Sequence, residues 1–165
     1  MNTVLPNEPE RIAETKPSTT VGARFSIQKG TMGAKWLLYA KFTGVSVGAG
    51  QPVFWTGTTG TEVSNVSGDI VANTLGSGNR PAGIAMTTLT TGQYGVFQTD
   101  GPCYVVSDGT IVKGNSIQCT AGYFTRFAPG TAGNDHLFAG SALADDSPTT
   151  GLCLVDLNLT GRRLS

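Results

Sequence analysis

Charged side chains are scarce in this 165-residue chain. They make up 13% of the residues, and eleven basic groups balance eleven acidic ones, so the formal net charge is zero. An average globular protein carries about twice that share of charge. A neutral chain also lacks the basic surface with which proteins bind the phosphates of nucleic acids. The composition therefore predicts no nucleic-acid partner.

Long apolar runs and paired cysteines are missing as well. The densest apolar run, residues 36–40, falls far short of the ~20 residues of a transmembrane helix, and the first ten residues are polar and acidic, unlike a signal peptide. Cys103, Cys119 and Cys153 are an odd number and show no C-x-x-C spacing. This argues against a zinc site and a disulfide framework. We expect no membrane partner and three buried thiols in a protein that folds in a reducing cytosol.

Side chains that carry catalysis or bind metals are few. His136 is the single histidine, and G-x-S-x-G occurs once, at Gly44 to Gly48, with no helix predicted after it as a nucleophile elbow requires. Residues 76–83 superficially suggest a phosphate-binding loop but lack its Lys-Ser/Thr ending. Asp145 and Asp146 stand together without the spacing of a calcium-binding loop. The sequence therefore predicts no catalytic site, no metal site and no cofactor.

What the chain does have is glycine and alternation of apolar and polar residues. It contains 23 glycines and eight prolines, which divide it into short runs of period two. These runs cover residues 23–27, 36–42, 52–56, 69–72, 82–87, 94–98, 103–107, 117–120, 123–127, 137–144 and 152–159. Short, evenly spaced strands with turn residues between them predict an all-β fold, a compact β-barrel or sandwich of short antiparallel strands. We expect no helix longer than about two turns.

Two Asp-Gly pairs are strong turn signals. Asp100-Gly101 and Asp108-Gly109 each stand between apolar runs, and such pairs supply the positive φ angles of tight hairpin turns. They predict a meander of three strands, with residues 94–98, 102–107 and 110–120 lying side by side.

The charges divide the chain into parts. Residues 1–41 carry three net positive charges, residues 42–161 five net negative ones, and Arg162 and Arg163 follow as a short basic tail. Residues 1–22 hold three prolines and no aromatic residue, which leaves too little apolar surface to fold alone. We predict an extended N-terminal arm with the first strands in residues 1–41 (residues 1–22 being the arm proper), and a β-body with the basic tail in residues 42–165. The alternative is a frayed terminus without a role.

The order of glycines and strand residues through the body forms a recognisable pattern. It comprises Gly83-Ile84-Ala85, Gly92 to Gly101, Tyr104-Val105-Val106, Ile111 to Ile117, Gly140 to Asp145, and Thr150 to Leu157. In this pattern the chain resembles the small β-rich head decoration, or capsid cement, proteins of tailed bacteriophages. The resemblance spans about residues 42–158 and leaves the N-terminal arm outside.

The resemblance implies a virion structural protein that is made in the host cytoplasm and binds the outside of the mature head. It implies the major capsid protein as partner and a homotrimer at threefold or quasi-threefold positions. It also implies that the protein is not an enzyme and stabilises the capsid by multivalent, non-catalytic binding. A carbohydrate-binding virion or cell-surface module is the alternative, in which Trp55 or Tyr123 would stack on sugars.

The basic N-terminal part supplies the candidate contact residues. An arm that crosses neighbouring capsid subunits would present cations to an acidic surface, with aromatic side chains as anchors. The candidates are Arg11, Lys16, Arg24, Phe25, Lys29, Lys35 and Trp36. For the basic residues, plain solubility is the alternative explanation.

Overall fold

A computed structural model describes residues 12–28, 33–56, 60–65, 81–120, 122–128, 138–147 and 151–159. Within these ranges the regular elements are β-strands, which confirms the predicted all-β fold. The strands are β1 (Ala13–Glu14), β2 (Arg24–Gln28), β3 (Ala34–Phe42), β4 (Ser46–Val47), β5 (Pro52–Trp55), β6 (Glu62–Ser64), β7 (Pro81–Ala85), β8 (Leu89–Thr90), β9 (Tyr94–Val106), β10 (Ser116–Cys119), β11 (Phe124–Arg126), β12 (Phe138–Ala142) and β13 (Leu152–Asn158). The described ranges contain no helix that could cross a membrane.

Eleven of the described strands form one sheet that closes into two rings. In the first ring β9 pairs with β7, β7 with β5, β5 with β6, β6 with β3, and β3 again with β9. In the second ring β9 leads through β13, β12 and β10 to β11. A single bridge from Phe124 to Ser107 returns that ring to the end of β9. Most strand pairs are antiparallel, and the β3–β6 pair is parallel, so the sheet is mixed.

Strand β9 belongs to both rings. Its first half pairs with β3 and β7, and its second half pairs with β13 over residues 100–106. The predicted hairpin turn at Asp100-Gly101 is therefore wrong, because the strand continues through it. Gly101 does take a positive φ of 88°, but it lies within one continuous strand, two residues after Thr99, where the register to β3 shifts. Such an irregularity is a β-bulge.

The predicted meander is wrong for the same reason. Gly109 has a positive φ of 86°, as a turn requires. However, the chain that follows does not return beside β9, because β10 pairs with β11 and β12 instead.

A buried amide holds the bend of β9 in place. The Gln98 side chain is fully buried, and its Nε2 donates to the carbonyl oxygens of Asp100, Gly101 and Pro102 at 3.2, 3.1 and 3.0 Å. These bonds partner carbonyl groups at the bulge, where the regular ladder is interrupted.

Each ring has its own apolar core, and the two cores are joined. The core of the first ring contains Leu38, Ala40, Phe42, Val47, Val53, Val63, Ala82, Ala85, Leu89 and Phe97. The core of the second ring contains Cys103, Val105, Ile111, Ile117, Cys119, Phe124, Ala139, Ala142, Cys153, Val155 and Leu157. Phe54 of β5 and Ile84 of β7 also pack in this second core, although their strands belong to the first ring.

Residues 12–22, which we call the strap, pack on the outside of the first ring. Ile12 is buried with Leu37, Tyr39 and Val96. Strand β1, within the strap, pairs with the start of β9. The described part of the predicted arm is thus in contact with the body, and residues 1–11 lie outside the described residues. The division into arm and body stays a prediction.

Candidate functional site

The β2–β3 hairpin brings together four of the seven candidate contact residues. Arg24 and Phe25 lie in β2, and Lys35 and Trp36 lie in β3. The register sets Trp36 opposite Ser26 and Lys35 opposite Ile27 in a regular antiparallel ladder. We call β2 together with residues 34–38 of β3 the edge hairpin, because β2 ends the sheet order.

The four candidates divide between the two faces of the edge hairpin, because successive side chains of a strand point to opposite faces. Arg24 and Trp36 share one face; Arg24 is exposed, and Trp36 is 50% exposed. Phe25 and Lys35 share the other face, where Phe25 packs half-buried against the cluster beneath the strap. Trp36 therefore remains available to a partner, whereas part of Phe25 is occupied by the body.

The remaining candidates lie elsewhere. Lys16 is an exposed residue of the strap. Arg11 and Lys29 lie outside the described residues. No described carboxylate forms an ion pair with Lys16, Arg24 or Lys35, whereas Lys41 is 3.5 Å from Glu62. The described part of the N-terminal region therefore presents three cations without an acidic partner.

A carboxylate fastens the strap to β3. Oε1 of Glu14 accepts hydrogen bonds from the Ser18 N–H at 2.9 Å, from the Ser18 hydroxyl at 2.7 Å and from the Tyr39 hydroxyl. Burial alone would raise the pKa of Glu14, but the hydrogen bonds from Ser18 and Tyr39 outweigh it and lower the pKa. Burial, followed by the hydrogen bond to Glu14, raises the pKa of Tyr39 to about 12. The composition of the arm did not predict this contact; its one visible signal is the apolar Ile12 in a polar segment.

A shallow groove lies where the two rings meet. It has a volume of about 210 Å³ and is lined by Lys35, Ala49, Gly50, Ala85, Met86, Pro102, Cys103, Tyr104 and Leu154. Most of these side chains are apolar, and the ionisable groups among them are the Lys35 ammonium, the Cys103 thiol and the Tyr104 hydroxyl. The groove therefore offers an apolar surface rather than an arrangement of reacting groups.

The three cysteines are buried and form no disulfide, as predicted. Burial raises the pKa of the Cys103 thiol to about 12, with a smaller opposing effect of Lys35. Burial and the nearby Asp146 and Asp145 raise the pKa of Cys153 to about 11. Thiolate is the nucleophilic form of cysteine, so neither thiol is activated at neutral pH.

The acidic pair in front of Ser147 fixes a turn. Oδ1 of Asp145 accepts the Lys113 N–H at 2.8 Å, and Oδ1 of Asp146 accepts the Ser107 hydroxyl. Within the described ranges no three His, Cys, Asp or Glu side chains come together as a metal site would require. His136 lies outside the described residues.

The two aromatic residues of the carbohydrate alternative differ in exposure. Trp55 is half-buried and packs against the core of the first ring. Tyr123, just before β11, is 41% exposed. Of these two aromatic side chains, Tyr123 is the more available for stacking on a sugar.

Comparison with known proteins gives a structural likeness but no family. No family model matches the chain, and no curated protein matches it. Among solved structures, it is similar to the N base of the head fiber protein gp8.5 of bacteriophage phi29, with 13% sequence identity and a TM-score of 0.47, over 78% of this chain and 98% of that one. At this score and identity the likeness establishes neither a common fold nor a common role.

Proposed function

We propose that the chain is a virion structural protein that decorates and stabilises the outer surface of a phage capsid by binding the major capsid protein. The observation that carries the proposal is the sequence resemblance to head decoration proteins, whose motifs fall on β7, β9, β10, β12 and β13 and on the turns between them. Its glycines Gly92, Gly101, Gly114 and Gly151 take positive φ angles. The positive φ angles support the view that the backbone of the β-body requires glycine at these positions of the resemblance pattern.

Multivalency provides the mechanism. A homotrimer at threefold or quasi-threefold positions presents three copies of each contact surface. Once one subunit has bound, the other two bind as intramolecular events, which raises avidity by roughly 10²–10⁴. Because the protein binds the assembled shell and not its free subunits, binding stabilises the shell by mass action. No reacting group is needed.

The contact residues are assigned to the edge hairpin, to Lys16 of the strap and to the segment before the strap. The strap itself is attached to the body through Ile12 and Glu14. The part of the predicted arm that we assign to contact with neighbouring capsid subunits is therefore residues 1–11. Lys16, Arg24, Lys35 and Trp36 are the described side chains that would meet an acidic capsid surface, after synthesis of the protein in the host cytoplasm.

The test measures co-sedimentation of the purified protein with undecorated mature heads. We expect saturable binding that weakens in Arg24→Glu, because the substitution reverses a charge on the edge hairpin. Arg126→Glu is the matched control, since Arg126 is also exposed but lies on β11. Deletion of residues 1–11 tests the arm separately from the strap. Heads that bind none of the protein would refute capsid decoration, and equal binding by the deletion variant would remove only the role of the arm.

The carbohydrate-binding alternative depends on the exposed ring of Tyr123. A glycan array separates the two functions. Binding to one class of glycan that is lost in Tyr123→Ala would favour the module, whereas binding to heads alone favours decoration.

A further inference from the structure

The sheet order ends in two strands, and their outer edges differ. At one end, Phe124 of β11 forms a bridge with Ser107, and its carbonyl oxygen accepts the Asp108 N–H at 3.1 Å. The outer edge of β11 is therefore covered by the chain. At the other end, β2 pairs with β3, and no other described strand lies beside it.

The backbone groups that face outward from β2 follow from its ladder. The Tyr39 N–H donates to the Ala23 carbonyl at 2.9 Å, one residue before β2 begins. Antiparallel partners alternate between bonded and non-bonded positions. Phe25 and Ile27 lie two and four residues after Ala23, so their backbone N–H and C=O groups bond to β3. The residues whose N–H and C=O groups point away from β3 are Arg24, Ser26 and Gln28.

Strand β2 lacks most features that protect an edge. Natural sheets protect edges with proline, bulges, very short strands or charges. Strand β2 has five residues, contains no proline and keeps an unbroken register with β3. Arg24 is its single charge. An added strand would therefore find a regular row of donors and acceptors.

The charge around this edge favours an acidic partner. Arg24 lies in β2 and Lys35 lies opposite Ile27 in β3, and neither forms an ion pair with a described carboxylate. The one carboxylate of the strap, Glu14, is occupied by Ser18 and Tyr39. Aspartate or glutamate on an added strand would be attracted to these cations, whereas a second copy of β2 would bring no carboxylate.

We infer that the outward edge of β2 is a docking site for an extended, acidic segment of a protein partner, which adds to the sheet as a further strand. Main-chain hydrogen bonds to Arg24, Ser26 and Gln28 provide affinity, and the cations provide the preference for acidic side chains. Alternate side chains of the segment lie on the face of Trp36 and on the face of Phe25. The inference goes beyond capsid decoration, because it holds for any protein partner that carries such a segment.

The first experiment titrates a short synthetic peptide of alternating aspartate and valine into the full chain and follows backbone amides by NMR. We expect slower hydrogen exchange at Arg24, Ser26 and Gln28, and no change at Phe25 and Ile27, which already bond to β3. A peptide with lysine in place of aspartate should bind about tenfold more weakly or worse, since several charge contacts are reversed. Equal binding of the two peptides would overturn the acidic preference.

The second experiment removes single backbone donors. Ser26→Pro deletes the outward N–H of Ser26 and leaves the bonds to β3, a position where edge strands accept proline. It should abolish peptide binding, while the matched variant Ser26→Ala should keep it. A further test uses the wild-type chain and so does not depend on the folding of a variant. Two peptides are compared, one methylated on the odd-numbered and one on the even-numbered backbone nitrogens. The peptide whose methylated nitrogens would face β2 should lose binding, and the other should keep it. Binding of both peptides overturns the inference.

Two further outcomes would assign the edge to another occupant and overturn the inference. The first is a concentration-dependent dimer of the wild-type chain, seen by sedimentation, that disappears in Ser26→Pro, because it would place a second copy on β2. The second is a gain in peptide affinity on deletion of residues 1–11, because it would place the chain's own N-terminal segment there. Co-sedimentation with heads is independent of all these measurements, so failure of capsid decoration and failure of the strand site are distinguishable.

Discussion

Two residues determine the bend of β9: Gly101, which has no side chain, and Gln98, which contributes its side-chain amide. A Cβ on Gly101 would lie 2.3 Å from the Ala34 carbonyl oxygen, and Gly101 has a positive φ. Gln98 lies close by and donates to three successive carbonyl groups. The sequence did predict a positive φ at Gly101. It could not distinguish a hairpin from a bulge, because the distinction depends on β3 and β13, which are distant in the sequence.

The first prediction compares two glycines of nearly equal φ. Gly101→Ala should lower the free energy of unfolding by at least about 2 kcal/mol more than Gly109→Ala. Both substitutions strain a left-handed backbone by roughly 1–2 kcal/mol, but Gly109 has no atom within 4 Å of the added Cβ, whereas Gly101 has a backbone oxygen in the way. Urea unfolding measures the difference. Equal losses would show that the backbone of β3 yields without cost.

A second prediction concerns the amide. Gln98→Met keeps the length of the side chain and removes the donor that the carbonyl groups of Asp100, Gly101 and Pro102 share. Each intramolecular hydrogen bond that is lost costs about 0.5–1.5 kcal/mol. We expect a loss of stability within or above that range, measured by thermal or urea unfolding. A substitution that is neutral would mean that the three bonds contribute nothing to the bend.

Among the strands and the strap, sequence patterns succeeded where one face is buried. Strands β2 and β13 alternate, and their predicted and observed positions overlap closely. Strand β3 was also predicted, as a strand covered on two sides, and residues 37–40 are buried on both faces. Strands β1, β4, β6 and β8 were not predicted, since two or three residues show no period. The attachment of the strap was also missed, because it depends on one carboxylate and on the hydroxyl of Tyr39, twenty-five positions away. Composition alone does not encode such a contact.

The third prediction is that acid loosens the strap. The pKa of Glu14 is lowered in the folded chain from its usual 4.5. Its contribution to attachment is therefore complete above that value and is lost as the pH falls through the lowered pKa. Hydrogen-exchange protection of the strap amides should decrease in this acidic range before that of β9. At neutral pH, Glu14→Gln should lower the hydrogen-exchange protection of the strap amides, and Glu62→Gln, which affects the exposed pair with Lys41, should not. Unchanged protection in Glu14→Gln would contradict the role of the carboxylate.

The two rings are coupled through β9 and through Phe54 and Ile84, which reach from the strands of the first ring into the core of the second. Local periodicity predicts strands one at a time, so it gave a compact β-fold without the double ring. The closure of each ring depends on contacts between distant parts of the chain. The sequence shows the cations of the edge hairpin. It does not show that β2 lies at an edge of the sheet, because that position depends on the order of all the strands.

The fourth prediction follows from this coupling. Phe42→Ala in the first core and Phe124→Ala in the second should each cost about 3–5 kcal/mol, because both side chains are fully buried. Each variant should nevertheless unfold in a single transition, with near- and far-ultraviolet circular dichroism changing together. Two separate transitions, with only one shifted by each variant, would show that the rings unfold independently.

The buried thiols have a practical consequence for labelling. With all three native cysteines buried and the pKa values of Cys103 and Cys153 at about 12 and 11, almost no thiolate is exposed to an alkylating reagent near neutral pH. A cysteine introduced at the exposed Ser26 would then be the preferred point of attachment for a maleimide dye. Spectroscopy at that one position could report the arrival of a partner without removal of any native residue.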